Sequence, residues 1–370
     1  MKSKYLNLIV IVLVLIFLLS AIPAVLGKSR KSYLIDFIYS NEIEGFGFSN
    51  SNDNGETVSY EATAYALQIL DSSGKNPHDA SLLKDNLKEN ITEIFNEEDF
   101  IYDLYFLLKS LEVLFNEEDS IDADLKERIH EYINQTEQSG GGFSISNTST
   151  SVSLSSTYFV IQIYSLINES VTIHKNVTLH KNWVLSCSNI DGGYGGNSSL
   201  SSTLLSTYYA ASILTDLGFS LDDLINVSQT LDYFKSFYVN NTGDINNYGG
   251  YLPDDLAIFA LLSSTFYCVN KINLTEPQDL NKGPTVNWVI DHQNFIDGGF
   301  VDTTYGDEQK FSSIVSSYFA FEILKTFNSL SVLNKDVWMV EFNYWILIAV
   351  LGSIGFTIFL IYVIWRKRRV

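Results

Sequence analysis

Positive charge is scarce in this sequence. Its 370 residues include 23 Lys and Arg against 43 Asp and Glu, and six of the 23 lie in two apolar end segments. The region between those segments keeps 17 basic and all 43 acidic residues, a net charge of about −26. Such a surface repels nucleic acid and acidic lipid headgroups. The composition therefore argues against a function in nucleic-acid binding.

Cysteine is nearly absent, since only Cys187 and Cys268 occur. At most one disulfide can form, and an oxidising compartment would allow it. Two separate buried thiols are the equally good alternative.

The N-terminal end has the pattern of a signal peptide. Lys2 and Lys4 precede an uncharged run at residues 5–26, and Val25 and Gly27 supply small residues at a plausible cleavage point. We therefore predict a signal peptide at residues 1–27. Because the run is long for the apolar part of a signal peptide, an uncleaved membrane anchor is the alternative.

A second apolar run, residues 344–365, is followed by a basic tail at residues 366–370. As a helix, a run of this length spans roughly 33 Å, enough for a bilayer core of about 30 Å. Basic residues mark the cytoplasmic side of a membrane. We therefore expect a single-pass protein of the cell membrane, with a transmembrane helix at 344–365, a cytoplasmic tail and residues 28–343 on the extracellular side.

The extracellular part contains nine Asn-x-Ser/Thr sequences, the acceptor pattern for N-linked glycans. They agree with the expected topology, although a chain rich in Asn, Ser and Thr also forms some by chance. The candidate glycan acceptors are Asn90, Asn134, Asn147, Asn168, Asn176, Asn197, Asn226, Asn240 and Asn273.

One sequence unit recurs along this part of the chain. Its clearest copy, residues 183–214, reads WVLSCSNIDGGYGGNSSLSSTLLSTYYAASIL. An apolar segment leads to the turn Gly192-Gly193-Tyr194, and a Ser/Thr-rich entry leads to a second segment whose apolar residues have helical spacing. Ser and Thr can cap that helix, and paired glycines allow the chain to reverse. The unit is predicted to be helix, glycine turn, helix.

Six copies of this unit account for residues 33–328. The second copy keeps the helical periodicity but lacks the glycines, and no obvious polar capping repeat is present. Both features favour a closed ring over an open superhelix. We therefore expect an all-α fold, an α/α toroid of six helical hairpins in two concentric rings. The equivalent aromatic residues of the six second helices are Tyr65, Phe106, Phe159, Tyr209, Tyr267 and Phe319.

The repeat resembles that of protein prenyltransferase β subunits and of squalene-hopene cyclases, which build an α/α toroid around a central cavity. The resemblance covers residues 33–328 and is specific for the fold, because several copies share the glycine pair, the spacing and the aromatic pair. It implies a toroid domain at residues 28–328. Residues 329–343 are then a linker between this domain and the expected transmembrane helix. The resemblance implies much less about activity.

The resemblance does not extend to the zinc ligands of the prenyltransferases, which are Asp and Cys on one inner helix and His on the next. The matching positions are Ser264, Phe266 and Ser316, or, one copy earlier, Ser206, Tyr208 and Ser264. None of these side chains is a ligand of the kind that zinc requires. We therefore expect no metal and no other cofactor.

The cyclases protonate their substrate through an Asp-x-Asp-Asp sequence, which does not occur here. Asp254 and Asp255, predicted with Pro253 at the start of the fifth inner helix, are acids that usually just complement a helix dipole. Residues 50–61 have the outline of a calcium loop that ends at Glu61, but Asn50 stands where the first ligand should be Asp. A polar turn is the preferred interpretation there.

The aromatic pairs are the candidate ligand-binding residues. Neighbouring residues on a helix point about 100° apart, so one ring of a pair can pack between the helical layers while the other turns to the next helix or the cavity. Core packing explains their recurrence most simply, and cavity lining is the alternative. The candidates are Tyr65, Phe159, Tyr208, Tyr209, Phe266, Tyr267, Tyr318 and Phe319.

The leading functional hypothesis is a cell-surface toroid that binds an apolar, isoprenoid-like molecule in the ring, or a protein at its rim, without zinc-dependent prenyl transfer. The second is an enzyme of the same superfamily that acts on an isoprenoid or a polysaccharide through rim carboxylates. An adhesive or structural surface role is the third. The rim acids are Asp53, Glu56, Asp191, Asp297, Asp302, Asp307 and Glu308.

Overall fold

The computed structural model describes residues 28–51, 57–96, 100–115, 121–171, 175–294, 296–303 and 311–337, together with Gly352 and Arg366. Residues 33–332 form one compact unit, in which two sets of helices alternate along the chain. The first set is α1 Arg30–Ser40, α3 Ala80–Glu93, α5 Ala123–Thr136, α7 Val177–Ser186, α9 Val227–Ser236 and α11 Lys282–Asp291. The second set is α2 Tyr60–Ser72, α4 Phe100–Leu114, α6 Leu154–Leu166, α8 Leu204–Asp216, α10 Leu262–Thr275 and α12 Ile314–Thr326.

The even-numbered helices form a closed inner ring. Each packs against the next in chain order, and α12 packs against α2. The odd-numbered helices lie outside, with α3 on α4, α7 on α8, α9 on α10 and α11 on α12. All six equivalent aromatic residues fall in the second turn of an inner helix. The predicted α/α toroid and the register of its six repeats are confirmed.

The glycine turns explain how one repeat is joined to the next. Five repeats have such a turn, because the second repeat lacks the glycines. The first four turns pack against the outer helix of the following repeat, and the turn of the sixth repeat packs against α1. Gly298 has a φ of +92°, and a Cβ there would lie 2.5 Å from the Tyr33 carbonyl oxygen. Only glycine combines that backbone conformation with so close an approach. Short strands flank three turns, namely β2 Glu42–Ile43 with β3 Gly47–Phe48, β4 Phe143–Ser144 with β5 Val152–Ser153, and β6 Tyr194–Gly195 with β7 Ser202–Thr203.

A buried hydroxyl ties each glycine turn to its inner helix. Thr207 Oγ1 accepts a hydrogen bond from the Tyr194 amide at 2.9 Å and donates to the Thr203 carbonyl at 2.7 Å. The second repeat, which lacks the glycines, has Leu104 at this position. The other hydroxyls that accept from the aromatic amide after a glycine turn are those of Thr63, Thr157, Thr265 and Ser317.

The fifth inner helix begins later than predicted. Pro253, Asp254 and Asp255 lie in the loop before α10, so the prediction that they open this helix is wrong. The Asp254 side chain accepts a hydrogen bond from the Leu256 amide at 2.8 Å. This local turn competes with helix formation, because it uses an aspartate oxygen to hold the backbone in another conformation.

Cys187 and Cys268 are both buried and both free, so the alternative of two separate thiols is the one observed. Burial raises the pKa of each thiol, that of Cys187 to about 11. Both therefore stay protonated and poorly reactive at neutral pH.

A second unit contains the described residues at the two chain ends, where β1 Lys28–Ser29 pairs antiparallel with β8 Asp336–Val337. Within the described ranges, no helix is both long and apolar enough to cross a membrane. The predicted signal peptide and, apart from Gly352, the predicted transmembrane segment lie outside those ranges.

Candidate ligand-binding lumen

The inner helices direct aromatic side chains into the ring. Burial raises the pKa of the tyrosines among them. Phe159 and Phe319, 6% and 7% exposed, are packed between neighbouring helices. The other six candidates keep accessible surface deep inside the fold, and we call the space that they line the lumen. These half-buried residues are Tyr65, Tyr208, Tyr209, Phe266, Tyr267 and Tyr318.

Ring contacts join the inner helices into a continuous aromatic belt. Tyr65 stacks on Tyr318 with ring centroids 3.9 Å apart, and Tyr158 stacks on Tyr209 at 4.7 Å. The aromatic residues of the belt therefore both pack against one another and line the lumen. The belt is completed by the contacts Tyr65–Phe106, Phe106–Phe159, Phe159–Tyr209, Tyr208–Tyr267 and Tyr267–Phe319.

Three tyrosines that belong to this belt were not among the predicted residues, namely Tyr102, Tyr105 and Tyr158. Tyr158 and Tyr105 occupy the same position as Tyr208, the first member of an aromatic pair, and this equivalence could have identified them. Tyr102 lies one turn earlier in α4, and its ring meets that of Phe159 at 5.3 Å.

Glu61 is a carboxyl group inside the ring that the sequence analysis assigned to a turn. It lies in the first turn of α2, and its Oε2 accepts a hydrogen bond from the Tyr102 hydroxyl at 2.7 Å. The bond to Tyr102 holds it beside the aromatic belt, and its charge contributes to the raised pKa values of Tyr209 and Tyr267. Burial raises the pKa of Glu61, and hydrogen bonds from Tyr102 and Tyr65 only partly oppose this effect. A carboxyl group with a raised pKa keeps its proton to a higher pH than an exposed glutamate does.

The positions that match the zinc ligands of prenyltransferases do not fit a metal. The Phe266 ring packs on that of Phe319 with centroids 5.3 Å apart, and the Ser316 hydroxyl accepts a hydrogen bond from Ser313 at 2.8 Å. In the other register, Ser206 is engaged by Thr203 in the same way. Among the described residues, no group of three or more His, Cys, Asp and Glu side chains could hold a metal ion.

The described rim acids hold backbone turns. Asp191 accepts hydrogen bonds from the Gly193 amide at 3.0 Å and the Ser202 hydroxyl at 2.7 Å. Asp297 makes the equivalent bonds in the sixth repeat. Asp302 accepts from the Ser263 amide at 3.2 Å, at the start of α10. The other rim acids, Asp53, Glu56, Asp307 and Glu308, lie outside the described residues.

The nine candidate glycan acceptors are all accessible to some degree. Asn176 and Asn226 also cap α7 and α9, where each side-chain oxygen accepts a hydrogen bond from a backbone amide. Asn90, Asn197 and Asn273 are half-buried, and the exposed acceptors are Asn134, Asn147, Asn168, Asn176, Asn226 and Asn240. Glycosylation of these residues stays a prediction.

The chain matches the family model described as prenyltransferase alpha-alpha toroid domain over residues 2–99, 78–181 and 157–341. No curated protein is significantly similar to it in sequence.

Solved structures share the fold at low sequence identity. Protein geranylgeranyltransferase-I of Candida albicans, complexed with GGPP, is 13% identical with a TM-score of 0.55, over 75% of this chain and 86% of that chain. A type II terpene cyclase variant from Scytonema, in complex with geranylgeranyl dihydroxybenzoate, is 11% identical with a TM-score of 0.52, over 81% and 97% of the two chains. A protein from Actinoplanes is 12% identical with a TM-score of 0.50, over 80% and 98%. Likeness at this level establishes the fold alone.

Proposed function

Because the chain belongs to the prenyltransferase alpha-alpha toroid family, we propose that it binds an apolar, isoprenoid-like molecule in its lumen without zinc-dependent prenyl transfer. The observation that carries this function is the aromatic belt, whose half-buried rings keep accessible apolar surface within the inner ring of helices. Protonated tyrosine hydroxyls keep this surface uncharged at neutral pH. A long hydrocarbon chain suits it, because burial of apolar surface is the main favourable contribution to such binding.

Two similar structures motivate the class of ligand. They contain GGPP and geranylgeranyl dihydroxybenzoate, respectively. Zinc-dependent transfer is not part of the proposal, because Ser264, Phe266 and Ser316 offer no metal-binding group of the required kind.

The proposed location is the extracellular side of the cell membrane. The toroid would be anchored by residues 344–365, with the basic tail in the cytoplasm and residues 1–27 removed as a signal peptide. The apolar and basic patterns of the sequence, the negative charge of the outer part and the accessibility of the nine glycan acceptors support this arrangement. A protein partner at the rim is the alternative occupant.

Equilibrium binding of labelled geranylgeraniol to the full-length protein in detergent micelles tests the ligand class. Saturable one-to-one binding is expected, and Phe266→Ala should weaken it by about five- to tenfold because a ring of the lumen is lost. Phe46→Ala is the matched control, since Phe46 is 55% exposed. Absence of saturable binding by the wild-type protein, or stoichiometric zinc in it, would overturn the proposal.

Glu61 favours a second candidate function, an enzyme that protonates a bound isoprenoid. Its raised pKa and its position towards the lumen are what such a proton donor requires. The test is incubation of geranylgeranyl compounds with the wild-type protein and with Glu61→Gln. A cyclised or isomerised product that disappears in the variant would support catalysis, whereas quantitative recovery of the starting compounds from the wild-type protein would eliminate it.

A further inference from the structure

Exposed apolar side chains recur on the turns of the fourth, fifth and sixth repeats. Single apolar residues on a protein surface are ordinary, whereas a group of them on one surface marks an interaction site. Ile190 is 97% exposed and Leu256 is 92% exposed. We call the group the apolar turn surface, and its members, each more than half exposed, are Ile190, Leu200, Ile245, Leu256, Ile258 and Ile296.

The repeat places these side chains at equivalent positions. The Asn189 side-chain amide donates to the Leu200 carbonyl at 3.0 Å, and that of Asn247 donates to the Ile258 carbonyl at 2.9 Å one repeat later. The isoleucines of the fourth and sixth turns each directly precede an Asp-Gly-Gly sequence. The apolar side chains therefore belong to the same part of each turn.

The three turns are neighbours around the ring. The fourth packs on α9, where Gln229 Nε2 donates to the Ile190 carbonyl at 2.5 Å. The fifth packs on α11, where Trp288 Nε1 donates to the Asn246 carbonyl at 2.9 Å. Because α9 leads into the fifth turn and α11 leads into the sixth, each turn is fixed to the helix that carries the next one.

The apolar turn surface carries negative charge and no positive charge. Its three segments, residues 187–203, 237–261 and 293–303, contain six acidic residues and no Lys, Arg or His. Desolvation raises the pKa of Tyr233 on α9, and the charges of acids from both the fourth and the fifth turn raise it further. The six acids are Asp191, Asp244, Asp254, Asp255, Asp297 and Asp302.

These carboxylates decide which partner can cover the apolar side chains. A second copy of the chain would bring like charges together. A bilayer would remove the same carboxylates from water and, where its lipids are acidic, repel them. A protein that presents cationic and apolar side chains together satisfies both features, because it neutralises the carboxylates and buries the apolar surface.

A recess of about 500 Å³ beside this surface has the same character. It opens between the fifth turn and α11, and its lining includes Ile245, Tyr248, Asn287 and Asp291. Among the described residues that line it, Asp291 alone is acidic and none is Lys or Arg. A lysine or arginine side chain suits the recess, because its aliphatic part packs on apolar surface while its charged end reaches a carboxylate.

We propose that the apolar turn surface binds a protein with a cationic, partly apolar face, and that one basic side chain of this partner enters the recess beside Asp291. The surface is separate from the lumen, so it does not depend on the proposed apolar ligand. It gives the toroid a second binding function, on the turns that join its outer and inner helices.

The test uses a phage-displayed library of random peptides of about 12 residues as the probe. The library is depleted on empty detergent micelles and then selected against the full-length protein in the same detergent. Enriched peptides, fused to a soluble carrier domain, should combine Lys or Arg with apolar residues and bind one to one. Their affinity should weaken by about threefold or more between about 50 and 300 mM salt, because salt screens exposed charges.

Leu256→Ser and Ile245→Ser should each weaken this binding by about tenfold, because apolar contact area is lost from the interface. Both side chains are exposed, so the fold should be unchanged, and the thermal unfolding midpoint checks this. Leu274→Ser is the matched control, since Leu274 is 60% exposed on α10 but lies outside the apolar turn surface. It should leave the affinity unchanged.

Asp255→Asn and Asp291→Asn should also weaken the binding and make it less sensitive to salt. Glu131→Gln, at an exposed position of outer helix α5, is their matched control and should change neither property.

Three outcomes would overturn the proposal. Enriched peptides without Lys or Arg, whose binding ignores both asparagine substitutions, would indicate an apolar partner or a lipid surface. Self-association of the wild-type protein that Leu256→Ser abolishes would assign the surface to a second copy of the chain. Failure to enrich any peptide, or binding that survives all four substitutions, would show that the surface is not a docking site. None of these outcomes bears on geranylgeraniol binding in the lumen, which is measured separately.

Discussion

The ring of Tyr318 lies face to face on that of Tyr65, with an interplanar angle of 5° and centroids 3.9 Å apart. These residues come from the sixth and the first inner helix, so the stack lies at the seam where the toroid closes. The Tyr318 hydroxyl reaches Gln68 on the same neighbouring helix, which adds a polar contact to the seam. Closure thus depends on specific side chains as well as on the count of repeats.

A double-mutant cycle measures the energy of this seam. Tyr65→Ala and Tyr318→Ala should each lower the free energy of unfolding, and their coupling should be about 0.5–1.5 kcal/mol, as for other aromatic pairs. The pair Tyr65→Ala and Tyr158→Ala, whose rings do not meet, should be additive within about 0.5 kcal/mol. Urea unfolding of the four proteins of each cycle provides the data. Additivity at the seam would show that the stack contributes nothing.

Gly298→Ala should be strongly destabilising, by at least about 2 kcal/mol, because it combines a positive φ with a clash against the Tyr33 carbonyl oxygen. Gly283→Ala is the matched control, since nothing lies within 4 Å of a Cβ there and the residue is in helix α11. That variant should be unchanged or more stable by up to about 1 kcal/mol. Thermal unfolding midpoints compare the two, and equal effects would contradict this account of the turn.

Thr207→Val should cost about 1–3 kcal/mol, because the buried Tyr194 amide loses its hydrogen-bond acceptor while the shape of the side chain is kept. Thr207→Ser should cost only about 0.8 kcal/mol, the value of one buried methyl group. The sixth repeat already uses a serine, Ser317, for the same bond. If the valine variant were as stable as the serine variant in urea unfolding, the hydroxyl would not hold the turn.

His292 should make the toroid less stable in mild acid. It is 1% exposed, its Nδ1 lies 2.8 Å from the Trp288 carbonyl oxygen, and desolvation lowers its pKa from 6.5 to about 4. Between these values the unfolded chain takes up a proton that the folded chain does not, so stability falls as the pH falls. The loss should approach about 3 kcal/mol at pH 4.

The contribution of His292 is isolated by comparing the wild-type protein with His292→Gln across pH 4–7.5. The variant should show a shallower decline in the free energy of unfolding, because carboxyl groups elsewhere titrate equally in both proteins. Identical pH profiles would show that His292 titrates normally in the folded state.

The sequence predicted the architecture well because each repeat carries the physical determinants of its own fold. Gly192 could be recognised because the glycine pair recurs along the chain, and Phe319 because helical periodicity places it on a buried face. Asp254 was misplaced because a side-chain hydrogen bond to Leu256 stabilises a loop where helix was expected. Local competition of this kind is not visible in periodicity.

The lumen was only partly predictable from sequence. The equivalent aromatic residues follow from the repeat, but the orientation of Glu61 does not, because it depends on Tyr102 from a helix 41 residues further along the chain.

Closure of α12 on α2 also limits how such a gene can evolve. A linear solenoid can lengthen or shorten by whole units, because the geometry between any two neighbours is unaffected. In a closed ring, the angle between neighbouring repeats depends on the number of repeats. Deleting one of the six would therefore require a larger angle between every remaining pair of neighbours. Sequence change within a repeat, as in the second copy, which lacks the glycines, leaves the number of repeats and the size of the ring unchanged.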